Sequence, residues 1–232
     1  MTHIMVPDGV LAPWLWISGW LLAIACLALA LWATRNTDRM RLVPLAGTMA
    51  ATMAVVMSLE IVPIGYEPHL TVLSGILLGP AYGFLATFVF NVLRMLVGDG
   101  SVTLLGLNTL ILGAETVGGY YLFRAFRHLT GSPAGSGLAA GMATVIALAV
   151  ATVLFLAVVY LGGVEIGAVA DVAHWDDLLE KAGTDDPGFP LFAQIVLILG
   201  AIGWLLEATV VGAITAFLRA VRPTLLRGAV AA

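Results

Sequence analysis

The residues most able to do chemistry are a histidine near the start of the chain, His3 in MTHIMVPDG, and a second in a short polar stretch, His69 in GYEPHL. Imidazole suits nickel, cobalt, copper and zinc, whereas calcium and magnesium prefer oxygen. An amine, the amide nitrogen that follows and an imidazole one residue along close a five-membered and then a six-membered ring on a metal. One more imidazole completes a planar set of nitrogens, which favours Ni(II), Cu(II) or low-spin Co(II) over tetrahedral zinc. That register needs histidine as the second residue. Thr2 is small, so bacterial processing would remove Met1 and leave a chain that begins Thr2-His3. With Met1 kept, the amine, two amides and the imidazole already suffice without His69; intact mass separates the two forms. Glu67, just before Pro68-His69, is a further candidate ligand, while Asp8 in Pro-Asp-Gly fits a turn and a helix cap ahead of Trp14.

These residues must be positioned by a membrane protein. The chain is 61% hydrophobic and only 10% charged, whereas soluble domains carry about 25% charged residues. Long apolar runs cross a bilayer as helices that satisfy their own backbone, and the alternating short strands of a barrel are absent. The runs are Trp14–Ala33, Leu42–Val62, Leu70–Val97, Val102–Phe123, Leu138–Leu161 and Leu191–Leu218. Gly79-Pro80 interrupts the third, because proline removes a helical hydrogen bond and glycine loosens the backbone. The fold class expected is an all-α polytopic membrane protein with about seven transmembrane segments, forming one domain over residues 1–232.

Arginines set the expected orientation, since basic residues concentrate on the cytoplasmic side. If Leu70–Val97 goes in and returns at Gly79-Pro80, then Arg35, Arg39, Arg41, Arg124, Arg127, Arg219, Arg222 and Arg227 all face the cytoplasm. The amino terminus is then outside and the carboxyl terminus inside. His3 and His69 share the outer side, as does the acidic segment 162–190. No basic stretch precedes the first apolar run, so the amino terminus is expected to be retained rather than cleaved as a signal peptide.

Several functions are disfavoured. There is no G-x-x-x-x-G-K-[ST] phosphate loop, and Lys181 is the sole lysine. An ATP-driven process would take its motor from another chain. No GxSxG or HExxH appears, and His128 and His174 fall outside the apolar runs, which disfavours a hydrolase. A net charge of −4 with scattered basic residues offers nucleic acid no patch. Glu115 and Glu207 lie at membrane depth, where a charge is expensive, and read as structural or subunit-contact residues; Arg94 could pair with one of them. Asn108 sits inside a membrane helix and is expected to hydrogen-bond the amino-terminal segment. Gly19, Ala23, Ala28 and Ala30 would let a partner helix approach the first apolar segment closely.

The chain resembles the CbiM/NikM family, the substrate-capture subunits of energy-coupling-factor transporters for cobalt and nickel. The resemblance rests on THIMVPDGVLAPWLW, on LTVLSGILLGPAYGFLATFVFNVLRMLVGDGSVTLLGLNTLILG, and on LLEATVVGAITAFLRAVRPTLL. Two residues are inserted before Pro7, and Glu67 stands where some relatives carry histidine after Gly-Tyr. The resemblance implies that residues 1–12 form the metal-binding segment. Thr2, His3 and His69 would be ligands, with Glu67 at the ligand-equivalent position and Asn108 and Asp8 in support. It implies Co(II) or Ni(II) as transported ligand, with no tightly bound cofactor. It also implies a transmembrane coupling subunit (CbiQ/NikQ-like), cytoplasmic ATPase subunits (CbiO/NikO-like) and a small accessory membrane subunit (CbiN/NikN-like), all at the cell inner membrane. A second reading is a vitamin or other organic-solute capture subunit, with Trp14, Trp16, Tyr66 and Tyr120 lining its pocket. A third is a membrane hydrolase using Glu115 and Glu207.

Overall fold

The computed structural model describes residues 11–37, 39–58, 66–98, 100–129, 131–164, 166 and 188–228. Thr2, His3, Asp8, His174 and most of the acidic 162–190 segment lie outside the described residues. Among those described, the regular elements are helices: α1 (Pro13–Ala33), α2 (Arg39–Met57), α3 (Thr71–Leu96), α4 (Leu105–Phe126), α5 (Pro133–Gly162), α6 (Phe189–Val221) and α7 (Pro223–Gly228). The all-α membrane architecture is as the sequence implied. Of the described helices α1, α3, α5 and α6 are long and apolar enough to cross a bilayer, and Leu42–Met57 within α2 is a shorter apolar stretch.

Local chemistry sets the helix ends. Proline occupies the first turn of α1, α5 and α6, where its missing N–H would be unpaired in any case. Ser132 caps α5, its Oγ accepting the Gly135 N–H at 3.0 Å. The same helix stops where Gly163 turns left-handed at φ 62°. Leu21, Leu22, Leu29 and Leu31 point outward from α1, an apolar surface suited to lipid.

Small residues bring the helices together. Gly19 of α1 packs on Leu107 of α4, and Gly106 of α4 packs on the Trp20 backbone. The starts of α1 and α4 are therefore adjacent. A Cβ on Gly137 of α5 would lie 2.7 Å from the Gly212 carbonyl oxygen of α6, so those two helices nearly touch backbone to backbone. Gly19, Ala23 and Ala30 are buried inside the molecule. The partner contact expected of them is thus corrected: these small residues serve packing within the chain, and of the set only Ala28 is exposed.

α3 is broken as Gly79-Pro80 suggested. Gly79 has φ 79° and ψ 172°, a region open to glycine almost alone. The two arms fold back on each other: a Cβ on Gly83 would lie 3.1 Å from the Gly75 Cα, though eight residues of continuous helix would separate them by about 12 Å. The first arm, Thr71–Leu78, reaches only part of the way through about 30 Å of hydrocarbon. It is sunk in the protein, with Thr71, Val72, Leu73, Ser74, Gly75, Ile76 and Leu78 buried. Replacing Gly79 by alanine is expected to destabilise the protein by about 1–3 kcal/mol, read as a lower melting temperature in detergent. Gly47→Ala is the control, since its Cβ would meet nothing within 4 Å.

Two apolar clusters form the core. One joins Met53, Ile76, Phe90, Leu112, Ala147 and Val211. The other joins Leu15, Leu107, Ile111, Ala151, Phe155 and Val196. The change from one to the other falls between Ile111 and Leu112 on α4, and between Val196 and Val211 on α6. Glu115 and Glu207 sit on those helices close to this boundary. Buried polar groups are thereby gathered near the middle of these two helices.

Candidate metal site

The segment that precedes α3 enters the molecule at that depth. Tyr66 and His69 are fully buried, and Glu67 is nearly so. Space for the Tyr66 ring comes from Gly203 of α6, against which it is packed so closely that any side chain there would collide with it. The Tyr66 hydroxyl donates to Glu207 Oε2 at 2.8 Å. The backbone N–H of His69 donates to the same oxygen at 3.1 Å, and that of Leu70 to Oε1 at 2.9 Å. One carboxylate from α6 thus fixes the phenol and the backbone on both sides of the His69 side chain.

Energetics decide why Glu207 is tolerated. A charged side chain at the centre of a membrane helix costs about 2.5–3.5 kcal/mol on insertion scales. Hydrogen bonds to charged groups return about 1.5–3 kcal/mol each, so three donors offset the penalty. The same bonds hold Leu70 at φ 56°, a left-handed conformation that costs a non-glycine residue about 1–2 kcal/mol. Leu70 has no side chain able to cap the first arm of α3, and Glu207 supplies that cap from another helix. Through this arrangement the sequence turns its chain sharply after His69 and presents the imidazole inward.

The imidazole is in a state suited to a metal. Burial holds the His69 ring well below its ordinary pKa, so it stays neutral, as metal ligation requires. Its Nδ1 is 4.0 Å from Glu207 Oε2, and its ring meets Tyr66 edge-on at 6.4 Å. Burial and the nearby Glu207 carboxylate raise the Tyr66 phenol well above its usual range, which keeps it a donor.

Glu67 faces elsewhere. Its Oε2 is 4.0 Å from an Arg94 nitrogen on α3. The pairing anticipated between Arg94 and Glu115 or Glu207 falls instead on Glu67, because the other carboxylates are engaged from α3 and its approach. Thr71, two residues past His69, donates to Glu115 Oε2 at 2.7 Å. Asn108 is half-buried on α4, seven residues before Glu115 and so on the same face about 10 Å away. Beyond it, Thr87 and Thr116 share a hydrogen bond at 2.9 Å, and the Asn91 amide donates to the Thr87 carbonyl at 3.2 Å.

The structure therefore brings His69, Glu67, Glu115, Glu207 and Arg94 into one neighbourhood, with Asn108 about 10 Å along α4 from Glu115. Thr2, His3 and Asp8 lie outside the described residues. Among the described residues no group of three or more His, Cys, Asp and Glu side chains stands ready to hold a metal. The anchoring role of Glu207 escaped the sequence, which reads it only as an expensive buried acid. The one signal was Gly203, four residues earlier on the same face of α6. The aromatic pocket of the vitamin reading does not assemble. Trp14 is exposed, Tyr66 is spent on Glu207, and Tyr120 lines a separate cavity of about 210 Å³ with Thr34, Gly79, Tyr82 and Arg124.

Residues 3–225 match the family described as the cobalt uptake substrate-specific transmembrane region, CbiM. A metal transport protein of Haloquadratum walsbyi (strain DSM 16790 / HBSQ001) is 34% identical over 145 residues, which are 60% of this chain and 66% of that one. The match thus spans slightly less than two thirds of the relative's length. The fold is shared with a crystal structure of a transition metal transporter, at a TM-score of 0.66 and 18% identity, over 93% of this chain and 92% of the other. A truncated transition metal transporter gives a TM-score of 0.62 at 18% identity, over 92% and 95% of the two chains.

Proposed function

Because the chain belongs to the CbiM family of cobalt uptake substrate-specific transmembrane regions, we propose that it captures Co(II) or Ni(II) at the outer face of the cell inner membrane. It does so as the substrate-binding subunit of an ATP-driven energy-coupling-factor importer. The observation that carries this reading is His69: an imidazole fully buried inside the molecule, on a backbone clamped by Glu207. Thr2 supplies the amine, His3 an amide nitrogen and an imidazole, and His69 the last nitrogen of a planar set. Such a set suits Ni(II) and Co(II). Glu67, held beside Arg94, lies next to the site and completes the charge around it rather than taking the metal.

The mechanism is binding, not catalysis. The ion loses water, the His3 amide loses its proton, and the segment 1–12 tucks between the helices. A transmembrane coupling subunit and two cytoplasmic ATPase subunits reorient this subunit, with a small accessory membrane subunit completing the complex. Glu115 and Glu207 serve this site and do not act as a hydrolytic pair, since both oxygens of Glu207 already accept hydrogen bonds. Cobalt and nickel fit the donor set equally; neighbouring genes for cobalamin synthesis, or for urease or hydrogenase, would indicate which is carried.

Metal analysis of purified protein tests the reading. The native start is expected to retain one nickel or cobalt ion per chain. One additional residue before Thr2, or acetylation of the amine, is expected to abolish that retention without unfolding the helices. Full binding by the blocked protein would leave the proposal without its ligand set.

A further inference from the structure

Two tryptophans mark where α1 meets the edges of a bilayer. Trp14 and Trp32 are 58% and 63% exposed, and the helix between them makes about five turns and rises about 27 Å. They therefore share one face of α1, at a spacing close to the ~30 Å of a hydrocarbon core. Exposed tryptophans so placed fit the aromatic belts at the two membrane–water interfaces. The residues just beyond Trp32, namely Ala33, Thr34 and Thr37, line a cavity of about 210 Å³. Its depth is thus that of lipid headgroups.

The rest of the lining comes from the break in α3 and the end of α4. Tyr82 and Tyr120 are buried in the wall, while Tyr121 and Arg124 are exposed. Thr37 shares a hydrogen bond with the Tyr82 hydroxyl at 3.3 Å, which ties the α1 side of the cavity to the α3 side. Among the described residues no acid lines the cavity, and no ion pair engages Arg124. The volume is far above the ~10–15 Å³ that admits one water, so there is room for a polar group. A guanidinium meets a phosphate through two parallel, charge-assisted N–H···O bonds. Arg35 is laid over the Trp32 ring at 4.8 Å, so that ring is not open to the quaternary ammonium of a choline headgroup. Basic pockets between membrane helices are a recurring place for anionic lipid headgroups. We infer that this cavity binds the phosphate of an anionic phospholipid, with Arg124 as its charged partner and Tyr82 and Tyr120 as its wall. A bound headgroup would brace the turn at Gly79, at the far end of the arm that begins beside His69.

The test uses the full chain, stripped of lipid in detergent and titrated with phosphatidylglycerol or phosphatidylcholine, with bound lipid counted by native mass spectrometry. The parent is expected to hold one phosphatidylglycerol per chain about tenfold more tightly than phosphatidylcholine, and to melt at a higher temperature with it. Arg124→Gln removes the charged donors and should weaken phosphatidylglycerol about ten- to hundredfold. Arg124→Lys keeps the charge but loses the fork, so its affinity should fall between the two. Arg127→Gln removes a charge from the same end of α4 but outside the cavity lining, and should stay within about threefold of the parent. Equal losses in the Arg124 and Arg127 variants would reduce the effect to net charge and overturn the site, as would full binding by Arg124→Gln. Inorganic phosphate at millimolar concentration should neither displace the lipid nor raise the melting temperature; full stabilisation by phosphate alone would overturn the assignment to lipid. Because Arg124 is exposed, its variants are expected to fold, and the comparison of the two lipids on the parent stands without them. A parent that does not distinguish the two lipids overturns the inference and leaves the cavity to an acidic side chain of another subunit.

Discussion

His69→Ala is expected to abolish stoichiometric retention of nickel or cobalt, with affinity falling by more than the 10–100-fold lost when a supporting partner of a ligand is removed. In the proposed site the imidazole is a donor to the ion itself, and a truncated side chain would leave only water to replace it in a buried place. The protein should still fold. The backbone N–H at position 69 donates to Glu207, and alanine keeps that N–H. Loss of the ring from a site that is 1% exposed is expected to lower stability by about 1–3 kcal/mol. A second variant, His69→Gln, fills more of the space and should restore stability but not metal. Glu67→Gln is the useful contrast. It breaks the approach to Arg94 without touching the proposed donor set, so nickel content per chain should stay near one while the melting temperature shifts slightly. Reversal of that order, with Glu67 essential and His69 dispensable, would move the ligand from the imidazole to the carboxylate.

Much of this arrangement is legible in the residues, and the parts that are not share a cause. The helices come from hydropathy, and their ends fall within a few residues of the apolar runs: Pro13–Ala33 for Trp14–Ala33, and Pro133–Gly162 for Leu138–Leu161. Proline and capping residues extend them beyond the apolar stretch, as at Ser132-Pro133. The reversal at Gly79 was legible because only glycine tolerates φ 79° and ψ 172°. What sequence could not give was partnership across helices. Glu207 lies 138 residues from His69 in the chain, and no local pattern reveals that one acid caps another helix. Arg94 failed for the same reason: membrane depth names a set of possible acids, and geometry chooses among them. The small residues of α1 showed that something packs closely there, but could not say whether it was Leu107 of the same chain or a separate subunit. His3 lies outside the described residues, and its proposed chelating register rests on sequence alone.

The largest structural effect is expected at Glu207. Removal of this side chain as Glu207→Ala strands three donors at once: the Tyr66 hydroxyl and the N–H groups of His69 and Leu70. A buried donor left unpaired costs about 1–3 kcal/mol. Breaking a buried charged network by removing one partner costs about 3–5 kcal/mol. The insertion penalty recovered by deleting the acid, about 2.5–3.5 kcal/mol, and the strain relieved if Leu70 leaves its left-handed turn, about 1–2 kcal/mol, offset part of this. At the centres of these ranges the predicted net loss is about 1.5–3 kcal/mol, concentrated in residues 66–70 and the first arm of α3. Hydrogen exchange should show it there first: the amides of His69 and Leu70 would lose protection while those of α5 keep theirs. Metal retention should fall with it, because the His69 ring is no longer held at its depth. Glu207→Gln separates the two roles of the group. Its amide oxygen can accept from one side, but its NH₂ meets a donor on the other, so it should keep part of the stability and part of the protection. Tyr66→Phe removes a single donor and is expected to cost about 0.5–1.5 kcal/mol, well below the alanine variant. Equal losses in Tyr66→Phe and Glu207→Ala would mean that the phenol alone carries the anchor. Unchanged exchange at residues 69 and 70 would mean that the backbone turn before α3 is held by something other than this carboxylate, and the account of how His69 is presented would have to be rebuilt around that other contact.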